Sequence, residues 1–227
     1  MVVTQAQRSS SQDHAPVQRM RRSHFRDPQI HGNVSRVTKE PPSGPGWIHE
    51  IKHDGFRIMA WKDGNRVELI TRSGYDFADR YPLIVDGIAS LPVKTCIIDG
   101  EAIVVDPNGL SVFNLLRYRQ HDHAATLCAF DLLEFDGADL RSSPIEERKQ
   151  HLAWALRERH HGVALNLTYD GDGALIYQHT CALGCEGIVS KRLGSPYRAG
   201  CTDQWLKMKN PDAPAVRRER EIDWAKR

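Results

Sequence analysis

Apolar residues crowd into short runs between residues 47 and 191, and glycine-containing turns rather than long polar linkers separate the runs. Six of them, rich in Ile, Val, Leu and aromatic side chains, predict strands: Trp47–Lys52, Phe56–Trp61, Arg66–Thr71, Thr95–Val105, Thr126–Phe135 and Gly187–Lys191. Such side chains favour a pleated, half-buried surface. Asp-Gly or Asn-Gly steps at 54–55, 63–65, 99–100, 108–109 and 136–137 predict turns, because glycine reaches positive φ without a steric cost. Two stretches carry helical spacing instead. Pro144–Leu156 opens on a Ser-Pro step and has apolar positions at 145, 152, 155 and 156, and Asp172–Leu183 follows the same pattern less regularly. Strands and helices in this mixture predict an α+β domain of antiparallel sheets flanked by helices.

The ends differ from the middle. Residues 1–23 are polar and basic and read as a flexible arm, residues 24–210 as the folded domain, and residues 211–227 as a charged tail. Pro41-Pro42-Ser43-Gly44-Pro45-Gly46 predicts a rigid turn at the way into the domain. The formal net charge of +2 hides an uneven distribution: residues 1–40 hold seven Lys/Arg against three Asp/Glu, and Lys207–Arg227 hold seven against four. A basic tail suits a polyphosphate partner, which binds cations by releasing counterions.

Composition excludes some classes. No apolar run approaches the ~20 residues needed to cross a bilayer, and the N-terminus lacks a secretory apolar core, so no membrane association and a cytoplasmic location are expected. Five cysteines without paired CxxC units read as reduced thiols; Cys181 and Cys185 lack a second ligand pair at zinc spacing.

The candidate chemistry begins at Lys52, in Glu50-Ile51-Lys52-His53-Asp54-Gly55-Phe56-Arg57, a Lys-x-Asp-Gly-x-Arg pattern between two apolar runs. Further on come Thr71-Arg72-Ser73-Gly74, Asp99-Gly100-Glu101, Phe130-Asp131-Leu132-Leu133, Glu186-Gly187-Ile188-Val189-Ser190-Lys191 and Trp205-Leu206-Lys207-Met208-Lys209. In this order they resemble the nucleotidyltransferase motifs of ATP-dependent DNA ligases, closest to the ligase module of the bacterial nonhomologous end-joining type, over about residues 45–227. The resemblance implies an ATP-grasp-like nucleotidyltransferase domain with the nucleotide in a cleft between two antiparallel sheets.

It also implies a role for each motif. Lys52 would attack the α-phosphorus of ATP, with Lys207 and Lys209 as catalytic cations. Glu50 would accept from the adenine amino group, Phe130 would stack on the base, and Arg57 and Arg72 would hold ribose and phosphate. Glu101 would contact the ribose or position the metal, and Glu186 would bind Mg²⁺ (or Mn²⁺), since a hard divalent cation needs carboxylate oxygen. An ordinary lysine, with a pKa near 10.4, is neutral about one part in a thousand at pH 7.4. A pocket lined by cations is therefore expected to depress the Lys52 pKa.

Full-length ligases of this type continue into an OB-type β-barrel of roughly 70 or more residues, whereas only Asn210–Arg227 follow the last motif here, so the barrel is expected to be absent. The expected function is a minimal ligase that forms a Lys52–AMP intermediate and seals nicks in duplex DNA during repair or recombination, with an end-joining or DNA-clamping partner as a candidate source of the missing part. The alternatives are a nick- or end-binding accessory protein, and an RNA ligase or capping-type nucleotidyltransferase that shares the Lys-x-Asp-Gly motif.

Overall fold

The computed structural model describes residues 33–42 and 44–218. The basic arm and residues 219–227 lie outside the described residues. Among the described residues eleven strands form two sheets. The first has the order β1 (Asn33–Val37), β11 (Gly200–Lys209), β10 (Gly187–Arg192), β2 (Trp47–Ile51), β9 (Thr168–Tyr169). The second has the order β4 (Arg66–Thr71), β3 (Phe56–Asp63), β5 (Thr95–Ile103), β6 (Thr126–Phe135), β7 (Ala138–Asp139), with β8 (Val163–Leu165) beside β6. The expected α+β fold of two sheets is present, with one difference: the pairs β1–β11 and β6–β8 run parallel. Both lie beside edges to which the chain returns after a long excursion, and only a tight hairpin forces antiparallel pairing.

Alternation along the strands builds two cores. On β3, Ile58 and Ala60 face a layer containing Leu69, Ile98, Leu127 and Leu132, together with Ile84 and Ile88 of α1 (Pro82–Ala89) and Leu152 of α3 (Ile145–Ala155). Met59 and Trp61, on the opposite face, meet Ile97, Leu133, Ile48 of β2, and Trp205 of β11. The six-stranded sheet is therefore buried on both faces, by helices on one and by the five-stranded sheet on the other, which is why its strands read as near-continuous apolar runs.

The helix expected over Pro144–Leu156 is α3, flanked by Pro144 and Leu156 at its caps. The one expected over Asp172–Leu183 is α4 (Gly173–Ala182), capped by Asp172, whose carboxylate accepts from the Ala174 amide at 2.8 Å. Neither α1 nor α2 (Phe113–Arg117) was anticipated. The expected turn at Asp99-Gly100 is wrong: both residues lie inside β5, Asp99 fully buried. Gly100 is required by close approach, since a Cβ there would stand 2.8 Å from Leu127 and 2.9 Å from the Cys128 carbonyl. The Asp54-Gly55 step does turn the chain, but it carries it from the first sheet to the second rather than closing a hairpin.

Candidate active site

The crossing from β2 to β3 sets Lys52 at the seam of the sheets. Its amide donates to the Gly187 carbonyl at 2.9 Å, fixing the end of β2 against the start of β10. Gly187 has φ 144°, and a Cβ there would lie 1.9 Å from the Met208 carbonyl, so the register of β10 against β11 depends on glycine at this point. That register places Glu186 beside the nucleophile candidate: Lys52 Nζ and Glu186 Oε1 are 2.6 Å apart, with the Glu186 side chain 4% exposed.

A cleft of about 240 Å³ opens between the sheets. Of the residues singled out from the sequence, Glu50, Lys52, Arg57, Arg72, Glu101, Phe130 and Lys207 line it. Glu186 is reached through Lys52, and Lys209 stands off the cleft, near enough for its charge to act on Glu186. The aromatic end is built by Phe130 and Trp205, whose ring centroids stand 6.3 Å apart edge to face, with the Lys191 ammonium 4.6 Å from one ring and 4.1 Å from the other.

Glu50 is not a free acceptor. Lys191 Nζ donates to its Oε2 at 2.9 Å, and Lys149 Nζ of α3 lies 2.6 Å from its Oε1 without an aligned hydrogen bond. Burial lowers the Lys191 pKa to about 8, against the pull of Glu50. Arg57 is clamped from behind by Asp99, with Nε to Oδ1 at 3.0 Å and Nη2 to Oδ2 at 2.6 Å, while the Tyr197 hydroxyl donates to the same carboxylate at 2.7 Å. The guanidinium then lies 5.4 Å from the centre of the Phe130 ring.

In the protein alone, without nucleotide or metal ion, the depressed lysine is not seen. Burial acts to lower the Lys52 pKa, but the attraction of Glu186, then Glu101, with Asp54 behind them, exceeds it and leaves the amine above its ordinary value. The carboxylates respond in kind. Burial pushes Glu101 up to about 7 against Lys52 and Arg57, and burial likewise raises Glu186. Sequence reasoning counted the cations near the motif and missed that three carboxylates converge on the same amine. The expected tail is also more than a tail where it is described. Residues 214–218 are helical, Ala215 and Val216 are buried, and Arg218 donates to Asp54 at 2.8 Å over the Phe113 ring.

With this geometry in place, comparison with known proteins is decisive. The pattern of the ATP dependent DNA ligase domain matches residues 29–209. The chain belongs to this family. It is 32% identical over 180 residues to the multifunctional non-homologous end joining protein LigD of Pseudomonas aeruginosa, covering 78% of this chain and 21% of that protein. It is 31% identical over 183 residues to the SPbeta prophage-derived DNA ligase-like protein LigB of Bacillus subtilis, covering 78% of this chain and 66% of the relative. The ligase domain of M. tuberculosis LigD superposes with a TM-score of 0.68 at 28% identity, over 78% of this chain and 60% of that one. A mycobacterial DNA ligase D complexed with ATP and MES gives 0.65 at 27% identity, with the same coverage. The chain thus spans about a fifth of the length of the end-joining relatives it matches.

The residues that sequence reasoning missed are Lys149, Asn166 and Lys191. Lys191 lay within a quoted motif without a role in the cleft, whereas Trp205, expected as core or cleft packing, is buried and lines the cleft. Lys149 and Asn166 carry no local pattern; they reach Glu50 only through the fold.

Proposed function

We propose that the chain is the adenylation module of an ATP-dependent DNA ligase. Lys52 attacks the α-phosphorus of ATP: the Nζ–P bond forms, the bond to the β-phosphate oxygen breaks, pyrophosphate leaves and the amine gives up a proton. The adenylate then passes to the 5′-phosphate of a nick in duplex DNA. The observation that carries this reading is the position of Lys52 at the seam of the two sheets, lining the cleft and within 2.6 Å of Glu186. Family membership and the likeness to a ligase complexed with ATP support it.

Glu50 and Phe130 would take the base, Arg57 and Arg72 the ribose and phosphates, and Lys207 and Lys209 the charge that develops at phosphorus. Asp99 sets the plane of Arg57 and Lys191 fixes the carboxylate of Glu50, so neither must reorganise as the nucleotide binds.

A hard divalent cation fits Glu186 and Glu101. The buried Oε2 of Glu186 has no hydrogen-bond partner, and both carboxyls are raised by burial, so each gains from a positive neighbour. Among the described residues no three His, Cys, Asp or Glu side chains gather to hold an ion alone, which suits Mg²⁺ or Mn²⁺ sharing one or two carboxylates with phosphate and water. Such a cation supplies charge neutralisation at the phosphates. Among the described residues no helix is long and apolar enough to cross a membrane.

One observation favours a second reading, a nick- or end-binding accessory protein: in the protein alone Lys52 is held in an ion pair with Glu186. A separate end-joining or clamping factor would then complete the reaction. Sealing of an ordinary nick with ATP, compared with sealing of a nick already carrying 5′-AMP, distinguishes the two. The enzyme seals both; the accessory protein seals neither but retards nicked DNA in a gel at about 50 mM salt and releases it by about 200 mM.

A further inference from the structure

We propose that Asn166 is a positioning residue that couples the base end of the cleft to the nucleophile. The proposal rests on the nucleotide reading given above. Asn166 sits where the chain leaves β8 in the six-stranded sheet and enters β9 in the five-stranded one, so it spans the cleft by its place in the fold. Its own amide is fixed to the Ala129 carbonyl at 2.8 Å, next to Phe130 on β6. Its side chain, more than nine-tenths buried and lining the cleft, reaches the other sheet. Nδ2 donates to Glu50 Oε2 and to the Ile51 carbonyl, each at 3.2 Å, and Oδ1 lies 3.2 Å from His53 Nε2.

The orientation of this amide is determined by its neighbours. Glu50 Oε2 and the Ile51 carbonyl only accept, so the nitrogen must face them and the oxygen must face His53. An amide oxygen only accepts, so His53 must carry its proton on Nε2. One side chain therefore holds the residue two before Lys52, the carbonyl immediately before it, and the residue immediately after it. Both donors of the amide nitrogen are used, and the oxygen accepts from His53. A base seated against Glu50 moves or tightens the same amide that fixes His53, and so bears on the stretch that aims Lys52. Small displacements of a reacting group are enough to change rates by orders of magnitude.

The test pairs Asn166→Ala with Asn166→Asp. The aspartate keeps an acceptor for His53 but sets a carboxylate against Glu50. In single-turnover labelling with α-labelled ATP, Asn166→Ala is expected to lower the maximal rate about tenfold or more while changing half-saturating ATP less than about threefold, the signature of lost alignment rather than lost binding. His53→Ala is expected to lower the rate likewise, and the double variant to be no slower than the slower single, because both remove one connection. Asn166→Asp is expected to raise half-saturating ATP as well.

A readout free of chemistry accompanies these rates. In protein labelled with ¹⁵N-histidine, AMP binding is expected to shift the His53 signal in the native chain and to shift it less in Asn166→Ala, which still binds AMP but keeps only the direct effect of AMP on a histidine that lines the cleft. Equal response of His53 in both proteins, rate losses that add in the double variant, or a change confined to half-saturation would overturn the proposal. If the native chain forms no adenylate, the enzyme reading falls and the histidine response alone decides this one.

Discussion

Arg148 is fully buried in α3 and makes the most demanding ion pair in the domain. Nε and Nη2 donate to the two oxygens of Asp131 at 2.8 and 2.9 Å, and Nη1 donates to the Ser143 and Ser195 carbonyls at 2.6 and 3.0 Å. Asp131, also fully buried, keeps only the Leu132 amide when the guanidinium is removed. Arg148→Met preserves volume and apolar packing, so its cost is mainly the uncompensated carboxylate and the two stranded carbonyls. Breaking one partner of a buried pair costs about 3–5 kcal/mol, which is a large share of the roughly 5–15 kcal/mol that holds a domain together. At about 2–4 °C per kcal/mol for a chain of this size, the midpoint of thermal unfolding should fall by roughly 6–20 °C. Urea titration followed by circular dichroism reads the loss directly, with the double variant Arg148→Met/Asp131→Leu recovering most of it, since a well-packed apolar pair replaces a buried ionic one at little net cost. A loss below about 1 kcal/mol in the single variant, or no recovery in the double, would refute the reasoning.

Glu186→Ala and Lys209→Ala should each lower adenylate formation by about two orders of magnitude or more, as groups acting on charge at phosphorus do, while Glu158→Ala, on the exposed side of the loop after α3, should not; equal losses at all three positions would indicate misfolding. In metal-free protein the acylation of Lys52 by an amine reagent should still be rising at pH 9, because its raised pKa keeps the amine protonated through neutrality. Glu186→Gln removes the nearest carboxylate and should move that profile to lower pH; a profile that moves upward or stays in place contradicts the ion-pair assignment. Gly187→Ala should yield little soluble folded protein, since its Cβ would meet the Met208 carbonyl at 1.9 Å on a backbone at φ 144°; a variant that melts within about 2 °C of the native chain refutes this.

The strands of the six-stranded sheet were legible because burial on both faces makes them apolar throughout, and α3 and α4 because a Pro or Asp start precedes recognisable spacing. The helix α1 was not. It begins at Pro82 after an uncapped Tyr81, and its packing depends on Gly87, where a Cβ would stand 2.3 Å from the His161 carbonyl, a long-range fact that leaves no local trace. The strand β1 was missed because two of the three side chains described in it, Arg36 and Val37, are exposed and the third, Ser35, is only half-buried, at a sheet edge. In the site, residues inside motifs could be named in advance, and the structure gathers most of them around one cleft. Their electrostatics could not be named. The Lys52 amine is governed by which carboxylates the β10–β11 register and the end of β5 deliver to it. Lys149 and Asn166 enter only because α3 and the β8–β9 crossing bring them to Glu50. Spacing along the chain carries the chemistry of a motif, but not the partners that set its charge.

The central claim is that Lys52 is the residue that becomes adenylated. Purified protein incubated with α-labelled ATP and Mg²⁺ should acquire an acid-stable, hydroxylamine-insensitive label, and peptide mass spectrometry should place AMP on Lys52, with Lys52→Ala unlabelled and Lys62→Ala labelled as fully as the native chain. Full labelling of Lys52→Ala, or AMP found on another residue, would contradict the account.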